Sequence, residues 1–184
     1  PDARNALSSE VLSMMTEAMG TAEADDDVDV LILTGTDPAF SAGLDLKELG
    51  STGSNLDGSG AGGGVNARGV RGPFPRLTKP LIGAVNGVAV TGGFELALNC
   101  DFLVASEHAK FGDTHARVGV MPGWGLSQKL SRAIGIYRAK ELSLTGNYRC
   151  SPQIVRAGSA ALTAAAIDDD TESRRDDARA ISVV

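Results

Sequence analysis

Aromatic residues, cysteines and histidines are scarce in this 184-residue chain. With one Trp, two Tyr and five Phe, its core must consist mainly of aliphatic side chains. The two cysteines, Cys100 and Cys150, have no CxxC spacing, which excludes a disulfide framework and fits a reducing compartment. Because the chain has only two histidines and two cysteines, at distant positions, no metal site is expected.

Long hydrophobic runs and an excess of positive charge are also absent. No apolar run approaches the roughly 18–20 residues of a membrane span, and the first residues lack the basic and apolar parts of a signal peptide. The net charge of -6 argues against nucleic acid as a partner, because phosphate neutralisation requires a basic surface. We therefore expect a soluble, cytoplasmic protein with neither a nucleic-acid nor a membrane partner.

Hydrophobic segments of two kinds alternate along the chain, which predicts an α/β fold. Short apolar runs rich in branched residues predict buried strands, at residues 28–34, 81–85 and 102–105. Helical periodicity predicts helices between them, from Ser9, with Ser8 as the N-cap, to near Gly20, at 92–99, at 126–134 and at 137–144.

Glycine is abundant, at about one residue in eight, and is concentrated between residues 50 and 72. The composition of residues 53–64 predicts a segment that is mobile without ligand and becomes ordered when a ligand binds. A passive flexible connector is the alternative, and hydrogen exchange with and without ligand distinguishes the two.

Small residues follow two of the predicted strands. Gly92 and Gly93 open a helix, where free N–H groups and positive potential accumulate. The run Ser41, Ala42, Gly43 has the same character. Two such loops can present two N–H groups to one oxygen, forming an oxyanion hole. A tight turn is the commoner reason for a glycine pair before a helix.

Glu95 and His115 are the titratable candidates. Glu95 stands in the first turn of the Gly92 helix within an apolar stretch, FELALNC, so a buried carboxylate beside backbone donors is expected. Such a group is a candidate general acid or base. A lone histidine such as His115 is more often structural than catalytic, and Asp113 is suited to capping a turn.

Three segments together resemble the enoyl-CoA hydratase/isomerase family, the crotonases. They are residues 39–48 (AFSAGLDLKE), 79–101 (KPLIGAVNGVAVTGGFELALNCD) and 111–125 (FGDTHARVGVMPGWG). The opening residues 1–7 (PDARNAL) also fit, and the resemblance extends over about residues 1–150. Three motifs in the same order make the match far more specific than any one of them.

The resemblance implies a spiral of repeated ββα units. It implies a core domain over residues 1–153 that lacks its first strands, and an incomplete helical segment over residues 154–184. It also implies an acyl-CoA thioester as the substrate, no further cofactor, and assembly as a homotrimer or a dimer of trimers.

The resemblance also assigns roles to individual residues. The oxyanion hole maps to the backbone N–H groups of Ala42 and Gly92. The family's adenine- and thioester-binding loop maps to four consecutive residues, Ala42, Gly43, Leu44 and Asp45. Arg4 and Lys47 are candidate contacts for the CoA phosphates, although exposed cations often serve solubility alone.

The family's hydratases use two glutamates, and this sequence keeps one of them. The first maps to Glu95, whereas the second maps to His115. Enoyl-CoA hydratase is the predicted activity, with a double-bond isomerase and a non-catalytic acyl-CoA-binding protein as alternatives. His115 either donates a proton to C2 and titrates near neutral pH, or bonds to backbone and points away from Glu95. The second arrangement is slightly favoured.

Overall fold

The computed structural model describes residues 3–52 and 72–145. The described residues form six helices and six strands. In chain order they are α1 (Ser9–Ala24), β1 (Leu31–Thr34), β2 (Ala39–Ser41), α2 (Leu46–Ser51), β3 (Leu81–Val85), β4 (Val88–Val90), α3 (Gly92–Asn99), β5 (Phe102–Ala105), β6 (Lys110–Gly112), α4 (His115–Val118), α5 (Leu126–Ile134) and α6 (Ile136–Thr145). The glycine-rich segment at 53–64 and the helical segment predicted at 154–184 lie outside the described residues.

Three successive ββα units build the core of the protein. The first strands of the units, β1, β3 and β5, form one parallel sheet, and the second strands, β2, β4 and β6, form another. In the first sheet Ile82 is paired with Ile32 on one side and with Phe102 on the other. Each unit therefore adds one strand to each sheet before its helix, which confirms the predicted spiral of ββα units.

Helix α1 is longer than the sequence predicted. The Ser8 side chain caps it by accepting a hydrogen bond from the Val11 N–H at 3.2 Å. The predicted end near Gly20 is wrong, because the helix continues to Ala24. Lys79 explains the extension, since its ammonium group donates to the Ala22 carbonyl at 2.9 Å and holds the last turn in place. None of the described helices combines the length and apolar composition needed to cross a bilayer.

The core is mainly aliphatic, with Phe40, Phe74 and Phe94 also buried in it, but the first sheet is buried on one face only. Alternation along β1 directs Leu31 into the core and Ile32 to the opposite face, where its side chain is 64% exposed. Phe102 and Val104 of β5 are likewise exposed. The prediction of buried strands at 28–34 and 102–105 is therefore wrong for one face of each, and the first of them begins only at Leu31. That face of the sheet is open within the described part of the chain.

Candidate active site

The start of α3 lies against the loop between β2 and α2, with almost no space between the two backbones. Gly43 has a φ of +83°, and a Cβ there would lie 2.8 Å from the Cβ of Thr91 and 3.0 Å from the nitrogen of Gly92. A Cβ on Gly93 would lie 2.3 Å from the Ser41 carbonyl oxygen. Glycine at both positions is what brings the two loops together.

Gly93→Ala is expected to lower the free energy of unfolding by about 2–3 kcal/mol, because the added methyl group meets backbone that cannot move aside. Gly20→Ala is the matched control, since a Cβ at that helical position has nothing within 4 Å. The control is expected to be neutral or to gain up to about 1 kcal/mol from helix propensity. Urea unfolding of both variants checks this, and equal midpoints would contradict the close packing.

In this loop the free backbone N–H group belongs to Leu44, whereas the sequence had predicted that of Ala42. The Ala42 N–H donates to the Arg4 carbonyl at 2.9 Å, so the expectation that Ala42 supplies an oxyanion donor is wrong. The Leu44 N–H has no hydrogen-bond partner among the described residues. The reason is a parallel bridge in which Leu7 bonds to the Gly43 carbonyl and to the Asp45 N–H. That bridge leaves the amide of Leu44 facing away from Leu7.

Gly92 provides the second free amide. It is the first residue of α3, so its N–H has no partner within the helix, and none is found elsewhere in the described residues. The nitrogen of Leu44 lies 3.6 Å from the position that a Cβ on Gly92 would take. Two unpaired amides, on Leu44 and Gly92, therefore lie next to each other.

The side chain of Asp45 is occupied by a local role. Its Oδ1 accepts hydrogen bonds from the N–H groups of Lys47 at 2.8 Å and Glu48 at 3.2 Å, which caps α2. Glu48 in turn accepts a bond from the Ser9 N–H at 2.9 Å and fixes α2 against the start of α1. Asp45 thus orders the loop that carries Gly43 and Leu44.

Glu95 is buried, with 2% of its surface exposed, and is held from two directions. Its Oε1 accepts hydrogen bonds from the Trp124 N–H at 2.8 Å and the Leu126 N–H at 3.1 Å. Its Oε2 lies 3.3 Å from the Nε2 of His115. The carboxylate is therefore fixed at one oxygen by backbone, and its other oxygen faces the imidazole.

His115 is equally buried and lies between two carboxylates. Its Nδ1 lies 2.8 Å from the Oδ1 of Asp113, which also accepts the His115 backbone N–H at 3.1 Å. The favoured alternative, in which the ring bonds to backbone and points away from Glu95, is therefore wrong. Asp113 both caps the turn, as predicted, and orients the ring.

The two carboxylates control the charge of the imidazole. Burial alone would lower the pKa of His115, but hydrogen bonds to Asp113 and Glu95, together with their charges, raise the pKa to about 9. Burial opposes the charge on Asp113 as well, yet the hydrogen bond from His115 and its other hydrogen bonds hold the pKa of Asp113 below its usual value. The expected titration of His115 near neutral pH is therefore wrong. At pH 7 the ring is an imidazolium whose Nδ1 donates to Asp113 and whose Nε2 lies 3.3 Å from the Oε2 of Glu95.

His115→Gln is expected to destabilise the protein most at pH values below about 6.5. Because the pKa of His115 is raised from 6.5 to about 9 on folding, the stabilisation is complete below the lower value. It is lost as pH rises through the higher value, and its maximum is roughly 3 kcal/mol. Unfolding free energies between pH 5 and 10 test this, with the exposed His108 changed to Gln as the control. A pH-independent difference between wild type and His115→Gln would contradict the charged ring.

A pocket of about 330 Å³ is lined by Leu44, which bears one of the free amides, and by Thr91, which directly precedes the other at Gly92. Its wall is largely aliphatic and is formed by Ala42, Leu44, Leu46, Leu49, Thr91, Thr114, Arg117, Val118 and Val120. Glu95 and His115 do not line it. The pocket is instead lined by Thr91, which directly precedes Gly92, and by Thr114, which directly precedes His115.

Sequence reasoning missed several contributors to this site. Thr91 and Thr114 supply the hydroxyl groups of the pocket wall. Trp124 and Leu126 supply the two N–H groups that fix Glu95. Thr91 and Thr114 were detectable as polar residues that directly precede Gly92 and His115 within the quoted segments. The backbone donors have no signal in the sequence, because any residue has an N–H group.

Relatives of this chain are found along most of its length. Residues 1–158 match the family described as enoyl-CoA hydratase/isomerase. A probable peroxisomal enoyl-CoA hydratase of Arabidopsis thaliana is 44% identical over 152 residues, which are 79% of this chain and 52% of that protein. A probable enoyl-CoA hydratase of Mycobacterium bovis is 38% identical over 174 residues, which are 95% of this chain and 66% of that one.

A solved structure shows the same fold. The enoyl-CoA hydratase of Mycobacterium tuberculosis H37Rv matches with a TM-score of 0.66 and 45% identity, over 94% of this chain and 76% of that one. The chain thus spans about half the length of the plant relative and 66% of the Mycobacterium bovis relative. Because the match to the family extends over residues 1–158, most of the chain, the chain belongs to the enoyl-CoA hydratase/isomerase family.

Proposed function

We propose that the protein is an enoyl-CoA hydratase, which adds water across the C2=C3 double bond of an enoyl-CoA thioester. The observation that carries the proposal is the pairing of two unbonded amides, on Leu44 and Gly92, with the buried carboxylate of Glu95 one helical turn away. The names of the relatives support the same activity.

The two amides would stabilise the charge that develops during the reaction. Attack of water at C3 moves the electrons of the double bond towards C2 and onto the thioester oxygen, producing an enolate. The N–H groups of Leu44 and Gly92 donate to that oxygen. Fixed donors of this kind are worth about 3–4 kcal/mol each in other oxyanion holes.

Glu95 and His115 handle the two protons. As the bond between the water oxygen and C3 forms, a water O–H bond breaks and its proton passes to the Oε2 of Glu95. The imidazolium of His115 gives its Nε2 proton to C2. The 3.3 Å contact between the two side chains then lets Glu95 return a proton to His115, so that one water is added and both groups recover their starting states.

A direct assay with two substrates tests the proposal. Incubation with crotonyl-CoA is expected to remove the absorbance of the conjugated enoyl thioester, which shows hydration. Incubation with but-3-enoyl-CoA reports isomerisation, because that band then appears. Binding of both esters without either change would favour a non-catalytic acyl-CoA-binding protein. The single tryptophan, Trp124, packs against Gly92 and provides a fluorescence signal for binding.

The cytoplasmic location and the assembly of the chain into trimers are also proposals. The family resemblance supports a homotrimer or a dimer of trimers, and sedimentation equilibrium of the protein checks it against a chain mass of 18.9 kDa. A single-chain mass would contradict it. The plant relative is peroxisomal by name, so the cytoplasmic location needs its own test by imaging of a tagged protein.

A further inference from the structure

Two threonine hydroxyl groups lie in the pocket wall, whose other residues are aliphatic apart from Arg117. The Oγ1 atoms of Thr91 and Thr114 are hydrogen-bonded to each other, and both residues line the pocket. Thr91 is 5% exposed, and Thr114 is half-buried. We call them the hydroxyl pair.

The hydroxyl pair lies next to the acid–base residues. Thr91 precedes Glu95 by one turn of α3, and its carbonyl accepts the Glu95 N–H at 3.1 Å. Thr114 directly precedes His115. Two contacts therefore connect the starts of α3 and α4: the hydrogen bond between the two hydroxyls, and the contact between Glu95 and His115. The hydroxyl contact is the one that lines the pocket.

The pair has hydrogen-bonding capacity to spare. Two hydroxyl groups offer two O–H donors and four lone pairs, and their mutual bond uses one of each. Neither hydroxyl has another partner among the described residues. One O–H and three lone pairs thus remain for a molecule in the pocket.

The backbone of Thr91 supports a functional reading. Its φ of 52° and ψ of -123° lie in a region that a β-branched residue rarely adopts. Such a conformation costs about 1–3 kcal/mol and persists only where its surroundings hold it, which is common at functional sites. Thr91 is followed directly by Gly92, so the strained residue is the one that positions the free amide of Gly92.

One hydrogen of the attacking water finds no acceptor on Glu95 or His115. The attacking water has two hydrogens, of which Glu95 takes one. The imidazolium of His115 has no lone pair with which to hold the other. The thioester oxygen would lie at the amides of Leu44 and Gly92, and C3 is two bonds from the thioester carbon. Thr91 directly precedes Gly92, so its hydroxyl is the side-chain oxygen of the pocket wall that lies next to C3.

We propose that the Thr91–Thr114 hydroxyl pair binds the oxygen at C3, first the attacking water and then the 3-hydroxyl group of the product. The inference rests on the proposed hydratase function. It assigns recognition of an oxygen at C3 to these two hydroxyl groups. The pair acts by positioning that oxygen.

Binding of two unreactive esters tests the proposal. Acetoacetyl-CoA and butyryl-CoA have the same chain length and differ at C3, where the first has a carbonyl oxygen and the second has two hydrogens. Neither has the C2=C3 double bond to which water adds, and titration well below the pH at which acetoacetyl-CoA ionises keeps both esters neutral at C2. Isothermal titration calorimetry compares them in the wild type, in the double variant Thr91→Val with Thr114→Val, and in the double variant with Ser at both positions. Valine keeps the shape of threonine and removes the hydroxyl, whereas serine keeps the hydroxyl.

The valine variant is expected to lose at least about fivefold in affinity for acetoacetyl-CoA, the loss of one hydrogen bond, with less than about a twofold change for butyryl-CoA. The serine variant should retain the wild-type preference. An unchanged ratio in the valine variant would overturn the proposal. Should the double variant fail to fold, the single valine variants apply the same test, and at least one of them must lose the preference.

The crotonyl-CoA assay keeps this inference separate from the proposed function. Hydration by the wild type with an unchanged binding ratio overturns the role of the hydroxyl pair and leaves the hydratase standing. A shifted ratio without hydration overturns the hydratase and leaves recognition of the C3 oxygen. No binding of either ester to the wild type overturns both.

Discussion

Gly92→Pro is expected to lower kcat for crotonyl-CoA hydration by about 100- to 1,000-fold, the usual loss of one oxyanion donor. Proline removes the N–H that is unpaired at the start of α3. The first position of a helix tolerates proline, because its N–H makes no bond within the helix. The variant therefore removes the donor with little expected cost to α3 itself. Steady-state kinetics of the folded protein give the measurement.

Gly92→Ala is the matched control, since alanine keeps the N–H. Its Cβ would lie 3.3 Å from Trp124 and 3.4 Å from Leu7, in both cases next to side-chain atoms that can shift slightly. We expect it to retain most of the activity. Equal losses in the two variants would mean that shape, and not the amide, is what the reaction needs at this position.

Glu95→Gln is expected to lower kcat by at least about 100-fold, the lower end for loss of a general acid or base. Glutamine keeps an oxygen for the N–H groups of Trp124 and Leu126, so the surrounding loop should stay in place. KM should change little, because the amides of Leu44 and Gly92 remain. Turnover close to the wild-type rate in a variant with an unchanged circular dichroism spectrum would exclude Glu95 as the base.

The same variant has a second readout in the pH dependence of stability. Glutamine removes one of the two charges that raise the pKa of His115. The pH above which the protein loses stability should therefore move down from about 9 towards 6.5. A transition that stays in place would mean that Asp113 alone holds the charge on the ring.

Most of the fold could be predicted from the sequence, because its signals are local. Short branched apolar runs predicted strands at residues 81–85 and 102–105, and the structure has strands with those bounds. Ser8 caps α1 as expected. The end of α1 was missed because it depends on Lys79, which is distant in sequence. A helix end that is held by a tertiary contact has no signal in the helix itself.

The site was predicted at the level of segments and missed at the level of atoms. The loop containing Ala42 and Leu44 was identified, yet which of its amides is free depends on pairing with Leu7, 37 positions earlier than Leu44. The orientation of His115 depends on its contact with Asp113 and on where α4 begins. Register and side-chain direction are set by packing, which a single sequence does not reveal.

The amide of Gly92 and the carboxylate of Glu95 belong to one short helix, three residues apart. A helix rises about 1.5 Å per residue, so the backbone positions of Gly92 and Glu95 are separated by about 4.5 Å along the axis of α3. Whatever moves α3 moves both groups together, and their spacing survives. Position 115, on a different helix, is free of that constraint. A change of the side chain at position 115 can therefore alter how protons are delivered while the Gly92 amide and the Glu95 carboxylate keep their places on α3.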